Sequence, residues 1–403
     1  MTAPKSDPAM NFGVARELEI YQLGLVGKKL SVPPTIALLE KSAKEALDPR
    51  AYDYVAGAAG SESTMRANAE AFYRWRIVPR MLRNVSARDM SVEVLGSKLP
   101  FPVLLGPVGV QGIIHKNEAE GATARAAASL GLPFVLSTVS SRTLEQVSQA
   151  MGAAPRWFQL YWGKNPELTA SMLERAEKSG YSALVVTLDT FMLGWRERDL
   201  ERGYLPFFST EGLANYFSDP IFRAALREPP EKNPAEAVRL WASIFGNAAL
   251  TWEDLKFLRR HTKLPIVLKG ILHSDDAARA VDSGVDGIIV SNHGGRQVDG
   301  AIASLDALPA VVKRVGGKIP VLFDGGIRRG SEVIKALALG ARAVLVARLY
   351  AWGLAVAGEE GVRDSILNLL ADFDLSMALS GFASPRELSC DILTHEEAGH
   401  QFV

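Results

Sequence analysis

The chain has 403 residues, 48% hydrophobic and 22% charged, with 45 basic and 45 acidic side chains, so its formal net charge is zero. A duplex-DNA binder would carry a basic excess, so this balance argues against a nucleic-acid partner. The single cysteine, Cys390, rules out an internal disulfide and fits a reducing compartment; in the C-terminal tail it is expected to pack as a small hydrophobe. The opening segment MTAPKSDPAM lacks the apolar core of a secretory signal. The longest apolar stretch, Leu99 to Ile114, is broken by prolines and glycines and is too short to span a bilayer. A cytoplasmic protein without membrane contact is expected.

Residues 1–98 contain helical stretches and end in a short β-hairpin, Ser91–Leu99. From about residue 100, short aliphatic or β-branched runs alternate with amphipathic stretches, the pattern of buried parallel strands and covering helices. The strands are expected at Phe101–Gly109, Pro133–Thr138, Arg156–Trp162, Ala183–Asp189, Pro265–Gly270, Gly287–Asn292, Pro320–Gly326 and Ala343–Arg348. Helices are expected at Asn117–Leu130, Pro166–Ser179, Ser274–Ser283 and Ser331–Leu339, each followed by a glycine suited to a helix C-cap.

Eight such units over some 250 residues have the size and count of a (β/α)8 TIM barrel. A doubly wound sheet would place a GxGxxG fingerprint after its first strand, and none follows Phe101–Gly109. The expected organisation is an α/β chain with an N-terminal helical extension over 1–98, whose hairpin plugs the barrel bottom, a barrel over 99–389 and a tail over 390–403. A long insertion after strand four, residues 200–250, carries Tyr204, Phe207, Phe208, Tyr216, Phe217, Phe222, Trp241 and Phe245. It reads equally as a lid or as an oligomer contact.

Barrel enzymes build their active sites at the C-terminal strand ends. Here those ends carry Pro107-Val108-Gly109, Ser137, Gln159 and Tyr161, Thr187 and Asp189, Lys269, Ser291 and His293, Asp324-Gly325-Gly326, and Ala347-Arg348. Arg196 and Arg296 follow strands four and six. A structural barrel would not need polar groups on nearly every strand at one face. The Gly325-Gly326 turn is expected to open a helix and hold a phosphate, with Arg328 and Arg348 adding charge. Ser137, Gln159 and Thr187 suit the edge of a heterocycle, and Lys269 would stabilise negative charge on a reduced ring. His293 is a general-base candidate, Asp189 could hold its protonated form, and Arg196 with Arg296 could clamp a carboxylate. No metal site is expected.

These residues resemble the FMN-dependent 2-hydroxy acid oxidase and dehydrogenase family. S-N-H-G-G-R-Q (Ser291–Gln297) is similar to its signature, and D-G-G-I-R-R-G, F-Q-L-Y and L-K-G fall at the right strand ends, in a match running from about Tyr52 to Leu388. The resemblance implies FMN as cofactor, a small 2-hydroxy acid and oxygen as substrates, and a homo-oligomer (tetramer or octamer). It implies His293 as base with Asp189 as its partner, Tyr161 facing the substrate hydroxyl, and Arg296, Arg196 and Tyr54 on the carboxylate. Lys269 would lie at the pyrimidine side of the flavin. Ser137, Gln159, Thr187 and Ser291 would contact ring or ribityl chain. Asp324, Gly326, Arg328 and Arg348 would hold ribityl and phosphate, and Gly109 would lie near the reactive nitrogen.

The likeness is closest to the L-lactate 2-monooxygenase branch, which has a similarly long insertion flanked by G-W-R-E-R-D-L (Gly194–Leu200) and A-L-T-W-E-D-L (Ala249–Leu255). Residue 109 is glycine, as in that branch, where most oxidases of the family have alanine. Ala347-Arg348-Leu349 replaces the usual Gly-Arg-Pro, and Val139 stands where glycolate oxidase has tryptophan. No C-x-x-C-H motif is present, so oxygen or a free acceptor is the expected electron sink. Oxidation of L-lactate to acetate, carbon dioxide and water is expected; the alternatives are release of pyruvate and hydrogen peroxide, or another 2-hydroxy acid oxidase or dehydrogenase reaction of the family. A different phosphate-site barrel, or a barrel kept only as an interaction protein, would not need both arginines beside His293.

Overall fold

The computed structural model describes residues 11–396. The MTAPKSDPAM segment and the last seven residues of the expected tail lie outside them.

The apolar runs form eight parallel strands, β1 (Val103–Leu105), β2 (Phe134–Ser137), β3 (Arg156–Tyr161), β4 (Leu184–Thr187), β5 (Ile266–Ile271), β6 (Gly287–Val290), β7 (Val321–Phe323) and β8 (Ala343–Val346). They close into a (β/α)8 barrel, each strand paired with its neighbours in chain order and β8 returning to β1. The ladders are shorter than the apolar runs because the chain turns away as prolines and glycines begin: β1 ends at Leu105 rather than Gly109, and β7 at Phe323 rather than Gly326. The residues thus released form loops at the C-terminal face.

Alternation along the strands sorts the core into two parts. Leu104, Val135, Trp157, Val185, Val267, Ile289, Leu322 and Leu345, one from each strand, share an interior cluster with Val92, Val94 and Leu99 of the hairpin. The hairpin pairs Val92–Val94 with Ser97–Leu99 and lies beside Ile319, Pro320 and Arg342, at the N-terminal ends of β7 and β8. The flanking residues of each strand, such as Val103, Leu136, Val186 and Val344, pack outward in the second cluster with the helices.

One irregularity positions chemistry. The β5–β6 register slips between Lys269 and Ile271, around Gly270 at φ +110°. A Cβ at Gly270 would stand 3.0 Å from the Asp189 side chain. Glycine is thus required both for the left-handed backbone of the bulge and for the approach of Asp189.

Helices Phe12–Leu25, Ile36–Ala46, Pro49–Ala56 and Ser63–Arg74 precede the barrel, and the third carries Tyr54 to its mouth. Residues 200–250 fold into short helices around an aromatic cluster: Trp241 lies 4.5 Å from Phe207 and 4.8 Å from Phe245, centroid to centroid. Asn215 docks the insertion on the barrel, donating to the Thr138 carbonyl at 3.0 Å and accepting from the Leu144 amide at 2.8 Å. Cys390 does not pack as expected: its thiol is exposed. Leu393–His395 pairs with Trp75–Ile77 in a small antiparallel ribbon, and the short turn before it leaves Cys390 at the surface.

Candidate active site

The loops at the C-terminal strand ends surround a cavity with about 1170 Å³ of empty space, counting its open mouth. Its wall includes Tyr54, Pro107, Val108, Gly109, Tyr161, Arg196, Lys269, His293, Arg296, Asp324, Gly325, Gly326, Arg328, Ala347 and Arg348, all anticipated from the strand ends or the resemblance. Five more do not line the cavity: Asp189 and Ser291 bond to the lining residues His293 and Lys269, Ser137 accepts from the Val139 amide, and Gln159 and Thr187 continue from Ser137 in one row.

His293 leaves β6 with φ +59°, an uncommon backbone for a side chain-bearing residue, which turns its ring into the cavity. Its Nδ1 is 2.8 Å from Asp189 Oδ1 and its Nε2 is 3.5 Å from the Tyr161 hydroxyl. With the Nδ1 proton donated to Asp189, Nε2 is the basic nitrogen and faces the open space. Burial pushes the imidazole below its ordinary pKa, with Lys269 and Arg196 adding to the shift and Asp189 opposing it. A neutral ring results, ready to accept a proton. For Asp189, burial pushes upward, but His293, Lys269 and Thr190 outweigh it and hold the carboxylate ionised.

The positive groups are shielded from solvent, Arg196 being buried and Arg296, Arg328 and Arg348 half-buried. Arg296 lies 5.1 Å over the Tyr54 ring and donates to the Gly57 carbonyl at 2.6 Å. Arg196 donates to the Arg296 carbonyl and to Gln297, each at 3.2 Å. Arg348 donates to the carbonyls of Val55, Gly57 and Gly294, and Arg328, among the described residues, only to its neighbour Ile327. Burial, reinforced by Arg196, pulls Arg296 down to about 10. Burial beside Arg296 and Arg328 lowers Arg348 too. Among the described residues none of these four guanidiniums pairs with a carboxylate, in contrast to Arg16, Arg88 and Arg175 elsewhere. Uncompensated cations gathered in a partly desolvated site are costly; an anionic phosphate and an anionic carboxylate would each relieve that cost.

The rest of the set fits a flavin mononucleotide. Lys269 donates to Ser291 Oγ at 2.8 Å and pairs with Asp324 at 2.9 Å, a fixed cation at the cavity wall. Although burial works against its charge, Asp324 and Asp189 raise its pKa. Asp324 Oδ1 is buried with no hydrogen-bond partner, an acceptor suited to a ribityl hydroxyl. Ser137, Gln159 and Thr187 form a bonded row across β2, β3 and β4, with Gln159 accepting from Ser137 and donating to Thr187 at 3.0 Å each. The Gly325-Gly326 turn does not open a helix, because the next helix begins at Gly330. The amides just ahead of and at that helix end are occupied by Glu332, which accepts from Arg328 and Arg329, and by Asp372, which accepts from Gly330. A phosphate is left with the glycine turn and the arginines, not a helix dipole.

Residues 43–395 match the family model for FMN-dependent dehydrogenases. The chain belongs to that family. It is an FMN-dependent oxidoreductase. It is 46% identical over 390 residues to an FMN-dependent alpha-hydroxy acid dehydrogenase of Penicillium citrinum, covering 96% of each chain. It is 45% identical over 352 residues to an L-lactate oxidase of Lysinibacillus sphaericus, covering 87% of this chain and 90% of the relative. The solved structure of a mandelate oxidase superposes with a TM-score of 0.79 at 39% identity, covering 90% of this chain and 98% of that one.

Several functional contacts carry no sequence signal. Thr190 touches both His293 Nδ1 and Asp189. Asn68, from the N-terminal extension, exchanges two 2.8 Å hydrogen bonds with Asn292 and fixes the loop that carries His293. Phe207, Phe245 and Leu193 line the cavity beside Val139, which the resemblance had singled out; the first two were visible only as aromatics in a long insertion.

Proposed function

We propose that this FMN-dependent 2-hydroxy acid oxidoreductase oxidises L-lactate with oxygen. The observation that carries the reading is the His293–Asp189 pair, with Nε2 facing a cavity shared by Arg296, Arg196, Tyr54 and Tyr161. Bound FMN supplies the two-electron oxidant. Arg296 and Arg196 take the substrate carboxylate, Arg296 being steadied by the Tyr54 ring. Tyr161 directs the substrate hydroxyl toward Nε2, where His293 accepts a proton; either the hydroxyl proton or the α-proton suits that position. Asp189 stabilises the imidazolium that forms. Lys269 supplies positive charge toward the flavin ring, and Arg328, Arg348 and the Gly325-Gly326 turn take the phosphate.

The reading extends to the products: acetate, carbon dioxide and water. That outcome requires pyruvate to remain bound until hydrogen peroxide forms, when peroxide adds to the keto carbon and carbon dioxide leaves. A docked insertion whose Phe207 and Phe245 line the cavity supports slow pyruvate release. The second reading, an oxidase releasing pyruvate and hydrogen peroxide, is favoured by the L-lactate oxidases among the relatives. Aerobic turnover of L-lactate decides between them: near-stoichiometric acetate supports the first, and stoichiometric hydrogen peroxide supports the second. A homo-oligomer and a cytoplasmic setting complete the proposal, the latter suited to the exposed thiol of Cys390. Among the described residues no helix is long and apolar enough to cross a membrane.

A further inference from the structure

An L-2-hydroxy acid has three groups on its α-carbon besides hydrogen, and the cavity assigns two of them. The carboxylate belongs with Arg296 and Arg196, and the hydroxyl with His293 and Tyr161. The third, the side chain, is left with the apolar remainder of the wall. Two of the residues there come from the insertion rather than the barrel: Phe207 and Phe245. Phe245 packs edge-on against Tyr161 with centroids 5.5 Å apart, one ring away from the base.

These rings are braced. Phe207 and Trp241 are each only 2% exposed. Trp241 packs at a tilt against both Phe207 and Phe245, which also touch each other, and the Ile244 carbonyl accepts from the Lys164 amide in the loop after β3 at 2.9 Å. Asn215 fixes the other end of the segment to the loop after β2. A wall held from two loops and an inner tryptophan does not yield easily to a larger substrate.

We propose that Phe245, backed by Phe207 and Trp241, is a specificity-determining residue that limits the length of the 2-hydroxy acid side chain. This deepens the lactate reading and rests on it. The insertion then acts as a built wall of the substrate site as well as a cover.

The test uses FMN-loaded enzyme and anaerobic flavin reduction by L-2-hydroxy acids with methyl, ethyl, isobutyl and phenyl side chains. Phe245→Ala is expected to raise the isobutyl-to-methyl ratio of kcat/KM by about tenfold or more, since one or more methylenes are worth that much in an apolar pocket. Phe245→Leu, the gentler change should alanine loosen the segment, is expected to move the ratio in the same direction, and Phe245→Trp in the opposite one. A ratio unchanged within about twofold in both FMN-loaded Phe245→Ala and Phe245→Leu overturns the proposal, as does an equal loss for every acid. A wild type reduced fastest by a larger acid overturns the lactate assignment instead, and the same ratio change still judges the wall.

Discussion

Nδ1 of His293 and Oδ1 of Asp189 stand 2.8 Å apart, and the Thr190 hydroxyl bridges them, donating to the carboxylate at 2.9 Å and lying 3.1 Å from the ring nitrogen. Three side chains from the ends of β4 and β6 thereby fix one tautomer and one ring orientation. His293→Ala is expected to bind FMN but to slow its reduction by L-lactate on the order of 10²–10⁴-fold. Asp189→Asn should fall in the same range through loss of the tautomer. Thr190→Val should cost roughly fivefold, the worth of one hydrogen bond of about 1 kcal/mol. Stopped-flow reduction measures all three, and a deficit below tenfold in His293→Ala would point to another base.

The pH dependence follows from the same pair. Burial holds the His293 pKa in the folded protein below its ordinary 6.5. The unfolded chain therefore binds more protons between that lowered value and 6.5, so the stability tied to this group rises with pH through the interval and is constant above it. The acid limb of the reductive rate should lie below pH 6.5 and disappear in His293→Gln. An acid limb centred above 6.5 in the wild type would contradict the neutral-base assignment.

Two arginines separate cofactor from substrate. Among the described residues Arg328 donates only to its neighbouring carbonyl, so its charge is available to the phosphate. Arg328→Ala should weaken FMN affinity while leaving the KM for L-lactate of the reloaded enzyme near its original value. Arg296→Lys should retain FMN but raise KM and lower kcat/KM sharply, because an ammonium cannot present a planar two-pronged donor. Fluorescence titration of released FMN and steady-state kinetics report these outcomes; unchanged FMN affinity in Arg328→Ala would refute the phosphate placement.

Gly109 touches Val139 closely: an added Cβ would stand 2.7 Å from Val139 Cγ2 and 2.8 Å from its carbonyl oxygen. The carbonyl also accepts from the Val110 amide at 2.8 Å, so it cannot move freely. Gly109→Ala should destabilise by about 1–3 kcal/mol through overpacking, read as a lower thermal midpoint. Val139→Ala in the same chain should restore only part of it, since the clash with the carbonyl stays. Full restoration would place the conflict in the side chain alone.

The barrel was legible in the sequence because each of its units is local: an apolar run, a turn residue, an amphipathic stretch. The site was legible for the same reason, since the strand ends that deliver Lys269, His293 and Asp324 are marked by the turns that follow them. What escaped depends on distance. Asn68 meets Asn292 across 224 positions, and nothing near either residue announces the pair. Phe245 reaches the cavity only because Trp241 and the loop after β3 hold it there. The helix expected at Ser331–Leu339 is found at Gly330–Ala338, but the Gly325-Gly326 turn is not its start, because Glu332 and Asp372, rather than the glycines, hold its first amides.

On the proposed function, this cavity holds FMN and reduces it with a small L-2-hydroxy acid through His293. Anaerobic titration of the purified yellow protein with L-lactate tests it most directly. The expected result is complete bleaching of the visible flavin band by about one equivalent in the wild type, and bleaching slowed on the order of 10²–10⁴-fold in His293→Ala. A flavin that stays oxidised with L-lactate in the wild type, or bleaches equally fast in both proteins, would contradict it.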